Sequence, residues 1–129
     1  MKYLFFCTIL LAMGCSSTNN ASSSNKVYIN AQTDSPAQWV VKIEPKYPID
    51  AATKGIEGYV KFSAVVNERG ILESIEIIES SPKGVFENEG LRALKYWRFK
   101  PALLNGKVVK AFYQDTLEWE LKNKNITNN

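Results

Sequence analysis

The sequence contains no histidine. That absence removes the commonest general base and the commonest metal ligand together. Cysteine is nearly absent too: Cys7 and Cys15 are the only two, and no cluster of metal-ligating residues exists. Asp50, Asp115 and the glutamates show no paired spacing, and Ser80–Ser81 has no histidine partner. An enzyme is therefore excluded, and no cofactor or metal is implied. Strong charge is missing as well. The net charge of +3 is mild, and Glu and Lys alternate along the chain, so a nucleic-acid partner is not expected. Finally, no apolar run reaches the roughly twenty residues that a spanning helix needs.

What is present fits one small domain. The chain has 129 residues, of which 45% are hydrophobic and 22% charged, enough for a modest core. It opens "MKYLFFCTILLAMGCSSTNNASSSN". Lys2 supplies a positive start, and residues 4–13 form an apolar run of about ten residues, the length of a signal-peptide core. The run ends at Gly14–Cys15, which resembles a bacterial lipobox, with Ala12 and Met13 departing from the favoured residues. The resemblance implies a signal peptide over 1–14 and lipidation of Cys15. Ser16 after the cysteine implies sorting to the outer rather than the inner membrane. The alternatives are an ordinary secretory leader with an incidental cysteine, or a Cys7–Cys15 disulfide. Residues 15–36, rich in Ser and Asn and without apolar period, read as a disordered tether. About twenty such residues typically span roughly 25 Å, which holds a domain close to its membrane.

Residues 37–122 read as the folded domain, with 123–129 a disordered tail. "WVVKI" (39–43) suits a short strand. In "PKYPIDAATKG", Pro48 suits a first helical turn, Ala51 and Ala52 favour helix, and Gly55 ends it. "IEGYVKFSAVV" and "ILESIEIIES" flank "NERG". Val60, Phe62, Ala64 and Val66 share one face of the first run. Ile71, Ile75 and Ile77 alternate with Leu72, Ser74 and Glu76 in the second. Period two around an Asn- and Gly-containing turn predicts an antiparallel hairpin.

The period then changes. Phe86, Gly90, Ala93, Leu94 and Trp97 form a stripe at helical spacing, with acidic residues early and basic residues late, as the helix dipole prefers. Trp97 reads as the last inward residue of that helix. Pro101 forbids simple continuation, "LNGK" turns the chain, and "VVKAFYQDTLEWEL" returns as a long strand. In it Leu117, Trp119 and Leu121 alternate with Thr116, Glu118 and Glu120. Arg92, Lys95, Arg98 and Lys100 make a basic face, either a solvated surface or a contact for an acidic partner or phospholipid headgroups.

The series "YP" at Tyr47–Pro48, Gly58, Gly70, "SSPKGVFE" and "LRALKYWRFKPA…NGK" resembles the TonB C-terminal domain family over about residues 45–121. The resemblance implies an α+β, two-layer fold in the order α-β-β-α-β: a three-stranded antiparallel sheet with two helices on one face. It implies that the last strand lies at an edge. There a short extended segment of an outer-membrane receptor, or of another envelope protein, adds as an extra strand. The matching positions are Val108, Val109, Lys110, Ala111, Phe112, Tyr113 and Gln114. A second copy of the domain, covering the same edge as a homodimer, is the alternative. TonB itself carries an inner-membrane helix and a long Pro-rich linker. Neither is read here, so the resemblance implies the receptor-facing half on a lipid anchor facing the periplasm. A structural envelope lipoprotein that dimerises or holds peptidoglycan is the rival function.

Overall fold

The computed structural model describes residues 25–122. The expected signal peptide, Cys15, the first part of the tether and the tail lie outside the described residues. Two strands, β3 (Gly58–Val66) and β4 (Leu72–Ser81), form the expected antiparallel hairpin. Val60, Phe62, Ala64 and Val66 all point into the core and are buried. The turn is built by Asn67, whose Oδ1 accepts from the amides of Arg69 (2.9 Å) and Ile71 (3.0 Å). Gly70 closes it at φ +75, and a Cβ there would stand 1.9 Å from the Phe99 carbonyl oxygen. Only glycine meets both conditions.

The expected alternation in β4 fails at one point. Ile75 and Ile77 pack against the core, but Leu72, assigned to the other face, is buried with them. Ser74 has a φ of 51, and the β3–β4 register shifts between Ser63 and Val65. A bulge there adds a residue and flips the phase, which period counting cannot see.

A helix, α1 (Ile49–Lys54), precedes the hairpin and buries Ala51. A second, α2 (Glu87–Leu94), follows it and buries Gly90, Ala93 and Leu94. A Cβ on Gly90 would meet Leu117 at 3.2 Å and Trp119 at 3.4 Å, so the glycine lets α2 lie close on the sheet. Trp97 is fully buried but lies beyond α2 rather than in its last turn. The chain tightens there, with the Tyr96 and Trp97 amides reaching back three residues to Ala93 and Leu94.

After β5 (Arg98–Lys100) and β6 (Ala102–Leu104) comes the long strand β7 (Lys107–Trp119). It runs antiparallel to β3 in unbroken register, from Gly58 opposite Trp119 to Val66 opposite Ala111. The order β4-β3-β7 is the three-stranded antiparallel sheet expected, and both helices feed the core on its Val60 face. Leu117 and Trp119 are buried as expected, whereas Leu121 lies past the strand and is exposed. Four short strands extend the expected plan. β5 pairs with β2 (Gln38–Val41), and β6 forms a hairpin with β7 through Asn105 and Gly106, both at positive φ.

The fourth is β1 (Val27–Tyr28), which pairs parallel with β7, Val27 opposite Lys110 and Tyr28 opposite Ala111. A 3-10 turn (Asn30–Gln32) and a bridge between Ser35 and Leu103 follow. A tether disordered through residue 36 is thus corrected: regular structure begins at Val27. The physical reason is borrowed backbone pairing, not apolar burial, since Val27 is 41% and Ile29 54% exposed. Composition reports burial and is silent about borrowed partners.

Candidate binding edge

The edge of β7 opposite β3 carries β1 at Lys110 and Ala111. From Phe112 to Trp119 it has no strand partner among the described residues. The Thr116 amide donates to Asp115 Oδ1 at 2.8 Å and is therefore directed away from β3. With period two, Phe112, Gln114 and Glu118 direct their amides outward as well.

Five consecutive residues, 116–120, line one groove of about 260 Å³. Neighbouring side chains on a strand face opposite ways, so consecutive lining means that the groove runs along the strand's edge. Its far wall is the segment Lys42, Ile43, Glu44, Pro45 and Tyr47. Two buried indoles hold that wall. Trp97 Nε1 donates to the Ile43 carbonyl at 2.8 Å, and Trp119 Nε1 to the Lys46 carbonyl at 2.9 Å. Pro45 cannot donate to a ladder, which favours a free-standing wall over a sheet strand. An ion pair crosses the groove mouth, Lys42 Nζ to Asp115 Oδ2 at 3.2 Å. The same oxygen accepts from the Tyr113 hydroxyl at 3.1 Å. Burial, and then the Asp115 charge, push the Tyr113 hydroxyl well above its ordinary value, so it stays a donor.

The residues assigned to this edge from sequence divide into three groups. Val108 and Val109 pair with β6, on the same side of β7 as β3. Lys110 and Ala111 are taken up by β1, and Lys110 Nζ also holds Glu73 at 2.8 Å. That hydrogen bond lowers the Glu73 carboxyl and raises the Lys110 ammonium. Phe112, Tyr113 and Gln114 belong to the stretch with no outer strand. The open stretch thus continues C-terminally through Asp115, Thr116, Leu117 and Glu118, which were not assigned. The wall at 42–47 was missed as well. Its one sequence signal is the pair Pro45 and Pro48 bracketing an aromatic.

The basic residues are exposed but partly engaged. Arg92 pairs with Glu89 at 2.9 Å. Arg98 Nη1 donates to the carbonyls of Lys95 (2.9 Å) and Trp97 (2.7 Å), capping the end of α2. Lys100 lies opposite Gln38 on β5. Glu44 and Glu89 line the same depression as Arg92 and Lys46, so the surface there is mixed in sign. Among the described residues no group of three or more His, Cys, Asp and Glu could hold a metal, and no helix is long and apolar enough to cross a membrane.

Two solved structures share this architecture. The C-terminal domain of Pseudomonas aeruginosa TonB matches with a TM-score of 0.55 and 32% identity, over 70% of this chain and 93% of that one. The TonB2 protein of Vibrio anguillarum matches in fold, with a TM-score of 0.52 and 24% identity over 95% of this chain and 100% of that one. The fold is thus that of TonB C-terminal domains, a class of non-enzymatic protein-interaction modules. Residues 43–121 match the model of the Gram-negative bacterial TonB protein C-terminal family, and the chain belongs to that family. Among curated relatives, Protein TonB of P. aeruginosa is 38% identical over 65 residues, covering 50% of this chain and 19% of the relative. Protein TonB of Escherichia coli is 34% identical over 58 residues, 45% of this chain and 24% of the relative. The match therefore spans about a quarter or less of those two relatives.

Proposed function

We propose that the domain docks an extended peptide of an outer-membrane transporter, or of another envelope protein, by strand addition along β7, in support of energy-dependent transport. The observation that carries this is the open stretch from Phe112 to Trp119, with a groove beside it and outward amides along it. Backbone groups left unpaired on an edge are a template for a further strand, and side-chain pockets beside it select the sequence. Membership of the TonB C-terminal family supports the same conclusion. The Gly14–Cys15 junction supports lipid anchoring at Cys15, in the envelope, facing the periplasm and on the outer membrane. Acylation should appear as added mass on an N-terminal Cys15 in membrane-extracted protein; a soluble mature form starting elsewhere would remove the anchor.

The docking claim is tested by titrating the protein with synthetic peptides from the periplasm-facing N-terminal segments of outer-membrane transporters. Thr116→Pro deletes an outward donor and spares the β3 ladder, whereas Leu117→Pro deletes a ladder donor. The first should stay folded and lose about tenfold in affinity, one hydrogen bond's worth. The second should unfold. Unchanged capture by a folded Thr116→Pro would move the site off this edge. A dimer that buries β7 and releases no edge to peptide would favour the structural lipoprotein.

A further inference from the structure

The strand position beside β7 is already partly filled by the chain itself. β1 lies parallel to β7 and in register with Lys110 and Ala111, immediately before the open stretch that starts at Phe112. We infer that β1 is a built-in competitor for this edge, an autoinhibitory strand that an incoming peptide displaces. The inference rests on the strand-addition function and concerns its regulation.

Three features make β1 a plug that can leave. It is two residues long, with two register pairs. Its apolar side chains stay largely in solvent, Val27 and Ile29 being exposed and Tyr28 half-buried under the Lys26 ammonium, 4.9 Å from the ring centre. Little hydrophobic stabilisation is therefore lost on release. And β1 cannot lengthen along the edge, because a local turn draws the chain away. Gln32 Oε1 accepts from the Ile29 amide at 3.2 Å, the Gln32 amide donates to the Ile29 carbonyl at 2.9 Å, and Thr33 Oγ1 donates to the Asn30 carbonyl at 2.8 Å.

An added peptide has no such turn. It can run on past Phe112 beside Gln114, Thr116 and Glu118, making backbone bonds that β1 never makes. The longer strand wins, and the apparent affinity is reduced by the fraction of molecules in which β1 is seated. Behind β1 the chain is fastened again, since the Asp34 amide donates to the Leu103 carbonyl at 2.8 Å and Asp34 Oδ2 accepts from the Asn105 amide at 2.7 Å. Displacement therefore peels off residues 25–33 only and leaves the domain intact. Those residues return to the tether, where fully extended they reach about 30 Å. Occupation of the edge and reach of the domain are coupled.

The test uses the full chain, wild type and Tyr28→Pro, and as probe a synthetic peptide from the periplasm-facing N-terminal segment of an outer-membrane transporter. Proline at 28 removes a β1 amide donor and leaves the core untouched, which circular dichroism should confirm. The variant should capture the peptide about tenfold more tightly than wild type, and the Phe112 amide should exchange faster in the variant without peptide. Equal, measurable capture by both proteins would overturn the plug while leaving strand addition standing. Capture by neither, with the Phe112 amide freed in the variant, would overturn strand addition at this edge and the plug with it.

Discussion

Trp97→Ala tests the link between core and groove in one substitution. The indole is fully buried, edge-on to Phe62 at 5.9 Å, and its N–H holds the Ile43 carbonyl. Emptying such a site costs about 3–5 kcal/mol. Loss of the hydrogen bond contributes about 1 kcal/mol within that range. The Lys42 ammonium, 4.8 Å from the ring centre, adds about 0.5–1 kcal/mol at this half-exposed position. For a domain of this size the melting temperature should fall by about 15–30 °C, much of the margin by which small domains stay folded. Trp97→Phe separates the two roles. It keeps most of the buried ring and deletes the donor, so the loss should be about 1–2 kcal/mol, with the wall at 42–47 loosened. Arg98→Ala, next in sequence but exposed, should cost less than about 1 kcal/mol. Denaturant unfolding followed by far-ultraviolet circular dichroism is the assay, because the substitution removes a fluorescent reporter. Equal losses from Trp97→Ala and Arg98→Ala would refute the role given to the indole.

Gly70→Ala should destabilise by about 2–3 kcal/mol, from a forced positive φ plus the clash with the Phe99 carbonyl. Gly106→Ala, at nearly the same φ but with nothing within 4 Å of the new Cβ, should show the backbone cost alone, about 1–2 kcal/mol. Matching losses in the two melts would dismiss the contact. Glu87 Oε1 accepts from the Ser80 hydroxyl (2.6 Å) and the Gly84 amide (2.7 Å), and these bonds, Ser80 first, hold the carboxyl below its ordinary value against the opposing effect of burial. A folded-state pKa below the unfolded one stabilises above the unfolded value, and that contribution is lost as pH falls through the folded one. Between about pH 5 and pH 3, Glu87→Gln should therefore show a shallower loss of stability than wild type; parallel acid-unfolding curves would contradict this.

How much of the molecule could be read in its residues depends on what held each part. The inward set of β3 and the Gly90, Ala93 and Leu94 stripe of α2 are fixed by burial, which leaves a period in the sequence, and both are where the pattern put them. Glycine at 70 and the Asn105–Gly106 turn were legible because positive φ restricts residue type. Burial with a local irregularity was less legible: the bulge at Ser74 reverses the phase of β4, and a tightened turn drops Trp97 out of its helix. Features made by distant backbone pairing left no pattern. β1 is ordered by a strand some eighty residues away, and the groove wall by two indoles reaching the carbonyls of Ile43 and Lys46. The family resemblance assigns the edge to β7, but it could not show that β1 already sits beside Lys110 and Ala111 in this chain.

Amide hydrogen exchange, resolved residue by residue along β7 with and without an extended transporter peptide, tests the central claim most directly. Strand addition predicts an alternating result. The amides of Gln114, Thr116 and Glu118 should gain protection, while those of Tyr113, Asp115 and Leu117, already bonded to β3, stay as they were. Protection that leaves β7 unchanged and gathers instead around Arg92 and Lys95, weakening steeply with salt, would contradict it and make the basic end of α2 the site.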